Sequence, residues 1–409
     1  MKNTIEIPFD IENVEIQSTE INENGQLIIT LRNTDESTCC NGCSKQATEF
    51  HGHADARIVR HTSGFGLETY IRFYPKRYEC PHCGKTTTQQ IHGLEPYCHH
   101  TTAYEKHVLL QLVNSTVSDI AIKENLSMDE VQSIIDRYVE KKVNWDLIGA
   151  IVLLGLDEIS RKKGHKNFVT VVTAQVDGKT IILAILKDRK KQTVVNFLKT
   201  IPKRLRKTIM AVCSDMYLGF INAAKKVLKV KVVVDRFHVA KLYRKSLDSL
   251  RKSEMKRLKK ELPASEYKKL KNAMWILRKN PKELDFDEKM VLITLFKYSP
   301  MLKLAYQFCN DLTGIFNQDI SKSKARQKFR IWKRRVKRSD LTCFDGFLST
   351  LTSFEAEILN YFDDRYTSGF VEGFNNKIKV IKRRCYGILN IGHWFQRIYL
   401  DMEGYSLFA

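Results

Sequence analysis

Ile151-Val-Leu-Leu-Gly-Leu-Asp-Glu-Ile159 decides the fold. Its length and branched apolar residues read as a short buried strand, and Asp157 stands inside it, where a lone charge is costly to bury. Phe168–Val176 and Thr180–Leu186 follow as two more strands, joined at Asp177-Gly178, a dipeptide suited to a tight hairpin turn. A helix near Thr193–Lys199 comes next. Then come a strand at Ile209–Ser214, a helix carrying Tyr217–Leu228 and a strand at Val230–Val234.

Three strands with a hairpin, then two strands separated by helices, resemble an RNase H-like mixed sheet. Downstream, residues 236–362 read as almost wholly helical, with Pro263, Pro281 and Pro300 breaking the run into several helices. A sheet of this kind raises the question of where its carboxylates stand. Asp215 follows the fourth strand directly, and Glu372 lies in Ser368-Gly-Phe-Val-Glu-Gly-Phe-Asn-Asn-Lys-Ile-Lys379, at the start of a helix. Three converging carboxylates repel one another unless divalent cations neutralise them. Two Mg²⁺ ions (or Mn²⁺), roughly 4 Å apart, would activate a water or hydroxyl at a phosphodiester. Each residue also has a structural reading: Asp157 as a strand-end cap, Asp215 as a helix cap, Glu372 as a surface acid near Lys377. Glu158 and Asp235 stand as rival carboxylates.

The chain has 409 residues, 68 Lys and Arg against 46 Asp and Glu, and a formal net charge of +22. That length predicts two to four domains, and 43% apolar residues suffice for packed cores. The charge is clustered: Arg236 to Glu283 holds 16 basic and 5 acidic residues, and Lys322 to Arg338 holds ten basic residues and no acid. Such runs suit a polyanion, so nucleic acid is the expected partner. The N-terminus shows no secretory pattern, and the longest apolar run, Leu147 to Leu156, is ten residues, too short to span a membrane. Ten Cys in such a chain point to reduced thiols and metal. A cytoplasmic protein, nucleoid-associated when bound to DNA, with no membrane partner, is therefore expected.

The thiols have a pattern. Cys40-Asn-Gly-Cys43 and Cys80-Pro-His-Cys83 are two knuckles that can direct four thiolates at one Zn²⁺, although the 36 residues between them demand an enlarged hairpin. Cys39, Cys98, His51 and His82 remain open as substitutes for the fourth ligand. Residues 101–142 then change to helical spacing through Tyr104, Val108, Leu109 and Leu112, Val117 to Ala121, and Met128 to Tyr138. Ser127 with Glu130 forms a capping box at the last of three short helices, the pattern of a helix-turn-helix. The expected divisions are a β-rich region with a zinc ribbon (1–100), a helix-turn-helix (101–145), the first part of the core (146–235), a basic helical insertion (236–362) and a C-terminal helical part of the core carrying Glu372 (363–409).

These blocks carry a resemblance. Leu154-Gly-Leu-Asp-Glu-Ile159 with Lys163-Gly-His165, Cys213-Ser-Asp-Met216, Val234-Asp-Arg-Phe-His-Val239 and Val371-Glu-Gly-Phe-Asn-Asn-Lys-Ile-Lys-Val-Ile-Lys-Arg-Arg384 resemble bacterial insertion-sequence transposases of the DDE type. More narrowly, they resemble the ISL-three family, from Cys40 to about Trp394. The resemblance implies that Asp157, Asp215 and Glu372 form the metal-binding catalytic triad. It implies Mg²⁺-dependent cleavage at the terminal inverted repeats of a mobile element, transfer of the freed 3′-hydroxyl to target DNA, and at least a dimer on that DNA. Lys377, Lys379, Lys382, Arg383 and Arg384, downstream of Glu372, are expected to hold phosphates. Asp235 and His238 match an Asp-x-x-His signature and are left outside the triad. Two alternatives stay open: a DNA-binding regulator or domesticated copy without catalysis, and an RNase H-fold nuclease that cuts without joining.

Overall fold

The chain was analysed as a computed structural model that describes residues 11–95, 97–160, 168–367, 369–385 and 390–409, without the side chains of Phe370, Val371 and Glu372. Residues 1–10 and the block Lys163-Gly-His165 lie outside the described residues. Two compact units emerge, one of residues 1–141 with 396–409 and one of residues 142–395.

The first unit begins with nine strands: β1 Val14–Ile21, β2 Leu27–Asn33, β3 Thr38–Cys39, β4 Gln46–Ala47, β5 Glu49–His53, β6 Arg57–Gly64, β7 Leu67–Phe73, β8 Lys76–Glu79 and β9 Thr86–Thr88. One sheet runs β1-β2-β7-β6, with β2 and β7 parallel, over a core that includes Leu31, Val59, Ile71 and Phe73. The knuckles sit at two small hairpins, β3–β4 and β8–β9. This explains the long spacing between the cysteine pairs. β6 and β7 lie between the knuckles in sequence but complete the sheet started by β1 and β2, while β5 pairs with β8.

Three helices follow: α1 Thr102–Leu112, α2 Val117–Lys123 and α3 Met128–Tyr138. Their starts are fixed locally, because Thr101, Thr116 and Ser127 each cap a first turn with a side-chain oxygen, and Ser127 with Glu130 completes the capping box. Asn125 takes a left-handed φ of 51° in the turn between α2 and α3. The bundle core of Val108, Leu109, Leu112, Ile120, Val131 and Ile134 also includes Leu400, from far along the chain.

The second unit holds the mixed sheet: β10 Leu153–Ser160, β11 Phe168–Val176, β12 Lys179–Leu186, β13 Ala211–Ser214 and β14 Lys231–Val234. Its order is β12-β11-β10-β13-β14, antiparallel through the hairpin and parallel from β10 to β14. Asp177 and Gly178 both have positive φ, 49° and 77°, as a two-residue turn matching the twist of its strands requires. Counting helices of seven residues or more, α4 Lys191–Thr200 and α5 Leu218–Val227 connect the later strands. Beyond β14 come α6 Arg236–Glu261, α7 Phe286–Tyr298, α8 Pro300–Asn317, α9 Lys322–Lys337, α10 Asp345–Ser353, α11 Gly369–Arg384 and α12 Ile391–Phe408. No strand occurs in 236–362 among the described residues. Pro300 stands at the first turn of α8, where its missing N–H leaves no helical bond unmade. Sheet and helical stretch share one core, in which α6 contributes Val239, Tyr243 and Leu247.

The sequence reading keeps 363–409 in one piece, whereas Gln396–Ala409 of α12 counts with the first unit. The cause is polar as well as apolar. Arg397, 2% exposed, donates from Nη2 to the carbonyls of Leu112 at 2.8 Å and Ser115 at 3.0 Å. Gln396 donates to the carbonyl of Val139 at 2.7 Å. No described helix is long and apolar enough to cross a membrane.

Candidate functional site

Strand register places three carboxylates in a row. Leu156 on β10 pairs with Ser214 on β13, and Ser214 pairs with Val234 on β14. The next residue on each of these parallel strands is an aspartate: Asp157, Asp215 and Asp235. β13 and β14 end just before their aspartates, whereas β10 runs on to Ser160, so Asp157 projects from within its strand beside Asp215.

Their surroundings separate them. Asp157 accepts from the Glu158 amide at 2.7 Å and from the Asn375 side-chain amide. Burial and then the charge of Asp215 push its carboxyl up to about 6, against the Glu158 N–H, His238 and Lys379, which favour the charged form. Asp215 Oδ1 lies 2.5 Å from Nδ1 of His238. Burial disfavours the imidazolium of His238, but Asp215, Asp157 and Asp235 outweigh it and raise its pKa. Asp235 is 4% exposed and accepts from the Phe237 amide at 2.9 Å, as the N-cap of α6. The Asp-x-x-His signature thus combines a helix cap with an imidazole, one turn later, facing Asp215. The rival Glu158 is held by Arg189 at 2.7 Å, and Arg189 lies over the rings of Phe168 and Tyr217 at 4.6 and 5.1 Å.

Helix α11 packs against β10 and β12, burying Phe374, Ile378 and Ile381 at helical spacing. Glu372 lies in its first turn, but its side chain, like the whole of Ser368, is outside the described residues. Asn375, one turn later, is 2% exposed, and its Oδ1 has no partner among the described residues. Lys377, Lys379 and Arg383 are exposed. Lys382 is half-buried, donates to the Ser160 carbonyl at 2.5 Å, and has its pKa lowered by burial. Arg384 is half-buried too. The basic run after Glu372 therefore divides into three solvent-facing cations and two that pack. Sequence reasoning missed Asn375, a neutral residue whose only signal is its place three residues after Glu372. It noticed His238 without placing it beside Asp215.

The second cluster is sulfur. One Sγ from each of Cys40, Cys43, Cys80 and Cys83 lies within 4.8 Å of the others, with Cys40–Cys83 and Cys43–Cys80 at 3.5 Å. A tetrahedral ion with Zn–S bonds of about 2.3 Å needs sulfurs about 3.8 Å apart, so the four residues fit zinc. Both knuckles close alike: the Cys40 N–H bonds to Lys45 O and the Cys80 N–H to Lys85 O, with Ser44 and Gly84 at φ 57° and 66°. The Gly42 and Cys43 amides bring Cys40 down to about 6. The Lys45 amide also favours the Cys43 thiolate, but burial and the neighbouring thiols outweigh it and push Cys43 up to about 12. Crowded thiols that cannot all ionise are what a dication resolves. The substitutes stand elsewhere: Cys39 Sγ bonds to Ser44 O at 3.6 Å, His51 lies 3.6 Å from Glu79, and neither Cys98 nor His82 joins the cluster.

A four-cysteine module, a capped three-helix unit and a mixed sheet with aspartates in line define a DNA-acting protein of modular build. Comparison with known families agrees. A family model described as "Transposase", of the ISL3 DDE type, matches residues 154–398, and one described as "Helix-turn-helix domain of transposase family ISL3" matches residues 89–139. The chain belongs to the ISL3 family of insertion-sequence transposases. It is 25% identical over 380 residues, 92% of each chain, to the transposase for insertion sequence element IS1001 of Bordetella parapertussis. It is 21% identical over 401 residues to the transposase for IS1557 of Mycobacterium tuberculosis, covering 92% of this chain and 88% of that one.

Proposed function

We propose that this chain binds the terminal inverted repeats of an insertion sequence and catalyses DNA cleavage and strand transfer by in-line phosphoryl transfer. The reading takes the mixed sheet as RNase H-like and Asp157, Asp215 and Glu372 as its catalytic, metal-holding carboxylates. The observation that carries it is the register Leu156–Ser214–Val234, which sets Asp157 on β10 beside Asp215 just past β13, together with the burial and then the charge of Asp215 that lift Asp157.

Two Mg²⁺ (or Mn²⁺) ions held by these carboxylates would neutralise them, activate the attacking water or 3′-hydroxyl and stabilise the leaving oxygen. The chain's own residues prepare that site. Asn375 fixes the carboxylate of Asp157. His238 holds that of Asp215 at 2.5 Å. Lys379 favours the charged form of Asp157 and, with Lys377 and Arg383, offers exposed cations to phosphates. Lys382 and Arg384 act from more buried positions on the same helix. The ribbon, with structural Zn²⁺, and α1–α3 supply repeat recognition, and acting on two ends calls for at least a dimer on DNA. The test is Mg²⁺-dependent cleavage of an end-containing duplex by the wild type, Asp157→Asn and Glu372→Gln. Cleavage by the wild type alone supports the assignment; cleavage surviving in both variants refutes the triad.

A further inference from the structure

The helical stretch carries a charged groove that the proposed chemistry does not use. α9 buries Ala325, Phe329, Trp332 and Val336, and α10 buries Phe347, Leu348 and Leu351. Trp332 meets Phe347 edge-on with ring centroids 5.8 Å apart, which brings the two helices into contact, and its indole N–H is spent on Phe308 O of α8 at 2.9 Å. Their outer flanks wall a groove of about 640 Å³. Arg330, Lys333, Arg334 and Lys337 line it from α9, and Ser349 and Thr352 from α10.

The groove keeps cations that the fold does not neutralise. Of the basic residues on α9, Lys322 pairs with Asp363 at 3.0 Å, Lys333 with Glu355 at 2.6 Å and Arg335 with Asp311 at 2.8 Å. Among the described residues, Arg330, Arg334 and Lys337 have no carboxylate within ion-pair distance, and the one carboxylate in the lining is Asp345. These three cations stand at i, i+4 and i+7, a single stripe about 10 Å long at 1.5 Å per residue. One DNA strand carries a phosphate about every 3.4 Å along the axis, so the stripe spans about three. On the opposite wall Thr352 spends its hydroxyl on Leu348 O at 2.8 Å, while the Ser349 hydroxyl makes no hydrogen bond among the described residues. The lining holds no amide side chain and no aromatic ring, the groups that read or stack bases.

We propose that this groove is a second DNA site, binding the phosphate backbone of duplex DNA without regard to sequence through Arg330, Arg334 and Lys337, with Ser349 as a hydroxyl donor. The inference rests on the reading that the chain's substrate is DNA. It assigns the groove to flanking or target DNA, since nothing in the lining discriminates a terminal repeat.

The test is binding of the full chain to a random-sequence duplex lacking any terminal repeat, over a salt series and without added divalent metal. Arg330→Gln/Arg334→Gln/Lys337→Gln is expected to flatten the slope of log K against log salt by about 1 to 3 and to weaken binding at least about tenfold at 0.1 M salt. Ser349→Asp leaves every α9 cation in place and puts a negative charge on the facing wall, so it should weaken binding in the same direction. It carries the test if the triple variant melts early. Wild-type affinity and slope in both variants would overturn the proposal. The outcome is separable from that of the proposed function. A chain that cuts no end-containing DNA but loses slope in the variants loses the proposed catalysis and keeps its groove; intact cleavage with unchanged slope removes the groove alone.

Discussion

Replacing Arg397 with Met should loosen the helix-turn-helix bundle from a distance of almost three hundred residues. Arg397 is 2% exposed, donates to Leu112 O and Ser115 O, and lies 3.2 Å from Asp401, whose side chain is fully buried. Asp401 in turn accepts from the Asn114 amide at 3.1 Å. Met keeps the apolar stem but takes the guanidinium away from a buried carboxylate and from the Ser115 carbonyl in the turn after α1, and leaves Leu112 O with the Ser115 N–H at 2.9 Å. Breaking a buried pair from one side costs about 3–5 kcal/mol. The lower end applies, because Nε and Nη1 of Arg397 are buried without hydrogen-bond partners among the described residues, so the wild-type pair already carries uncompensated desolvation. About 3 kcal/mol corresponds to roughly 150-fold faster amide exchange in α1 and α3, if exchange there proceeds through opening of the bundle. Hydrogen–deuterium exchange read by mass spectrometry on the full chain resolves that, with β10–β14 peptides as an internal control. Adding Asp401→Leu removes the buried charge that faced the guanidinium and should restore most of the protection. If Arg397→Met changes exchange in α1 and α3 by less than about fivefold, or if the double variant is no better than the single, the bundle does not depend on this pair.

Three further outcomes follow from the geometry. Cys43→Ser should lose one bound zinc per chain, measured by metal analysis after gel filtration, and should unfold the β3–β4 and β8–β9 hairpins by circular dichroism; retained zinc would contradict the four-thiolate site. Asn375→Ala should lower the cleavage rate about 10- to 100-fold with an unchanged melting temperature, as expected of a residue that orients a metal-binding carboxylate, and Asn375→Gln should recover part of it. Burial pushes the carboxyl of Glu105 up, but bonds from His100 and Arg137 outweigh it and hold it below its ordinary range. A depressed folded pKa gives stability that is present above the unfolded value, near 4.5, and lost as pH falls through the folded one. The first unit should therefore lose stability below about pH 4.5, and Glu105→Gln should flatten that loss in acid melts.

Much of this architecture was legible because its signals are local. The strands β10 to β14 announce themselves as short apolar runs bounded by turns, and Asp177-Gly178 carries its hairpin in two residues. Ser127 and Glu130 mark the start of α3 through a bond that closes within one turn. The sulfur site was half legible: the knuckles showed, but their long separation made sense only once β6 and β7 were seen to belong to the sheet of β1 and β2. What no local pattern reveals is pairing at long range. Arg397 reads as an ordinary cation on an amphipathic helix, and nothing near it in sequence names Leu112 or Ser115. Lys379 and Lys382 look alike in the run after Glu372, yet three residues of helical rotation leave one exposed and tuck the other against Ser160 O. Asn375 is silent for the same reason, since a neutral amide gains meaning only from the carboxylate it faces.

The discontinuous first unit has a consequence for synthesis. Residues 1–141 leave the ribosome early and can gather their four cysteines and form their sheets, but the partner of Leu112 and Ser115 is not made until more than 250 further residues have been added. During that interval the nascent chain holds a helix-turn-helix without the strut that steadies it. Polypeptides released before residue 397 would bring an incompletely buttressed reader of DNA into the cell. The fold thereby ties firm DNA engagement to translation past the helix that carries Glu372, so the chains best able to hold DNA are those already equipped with every residue of the proposed triad.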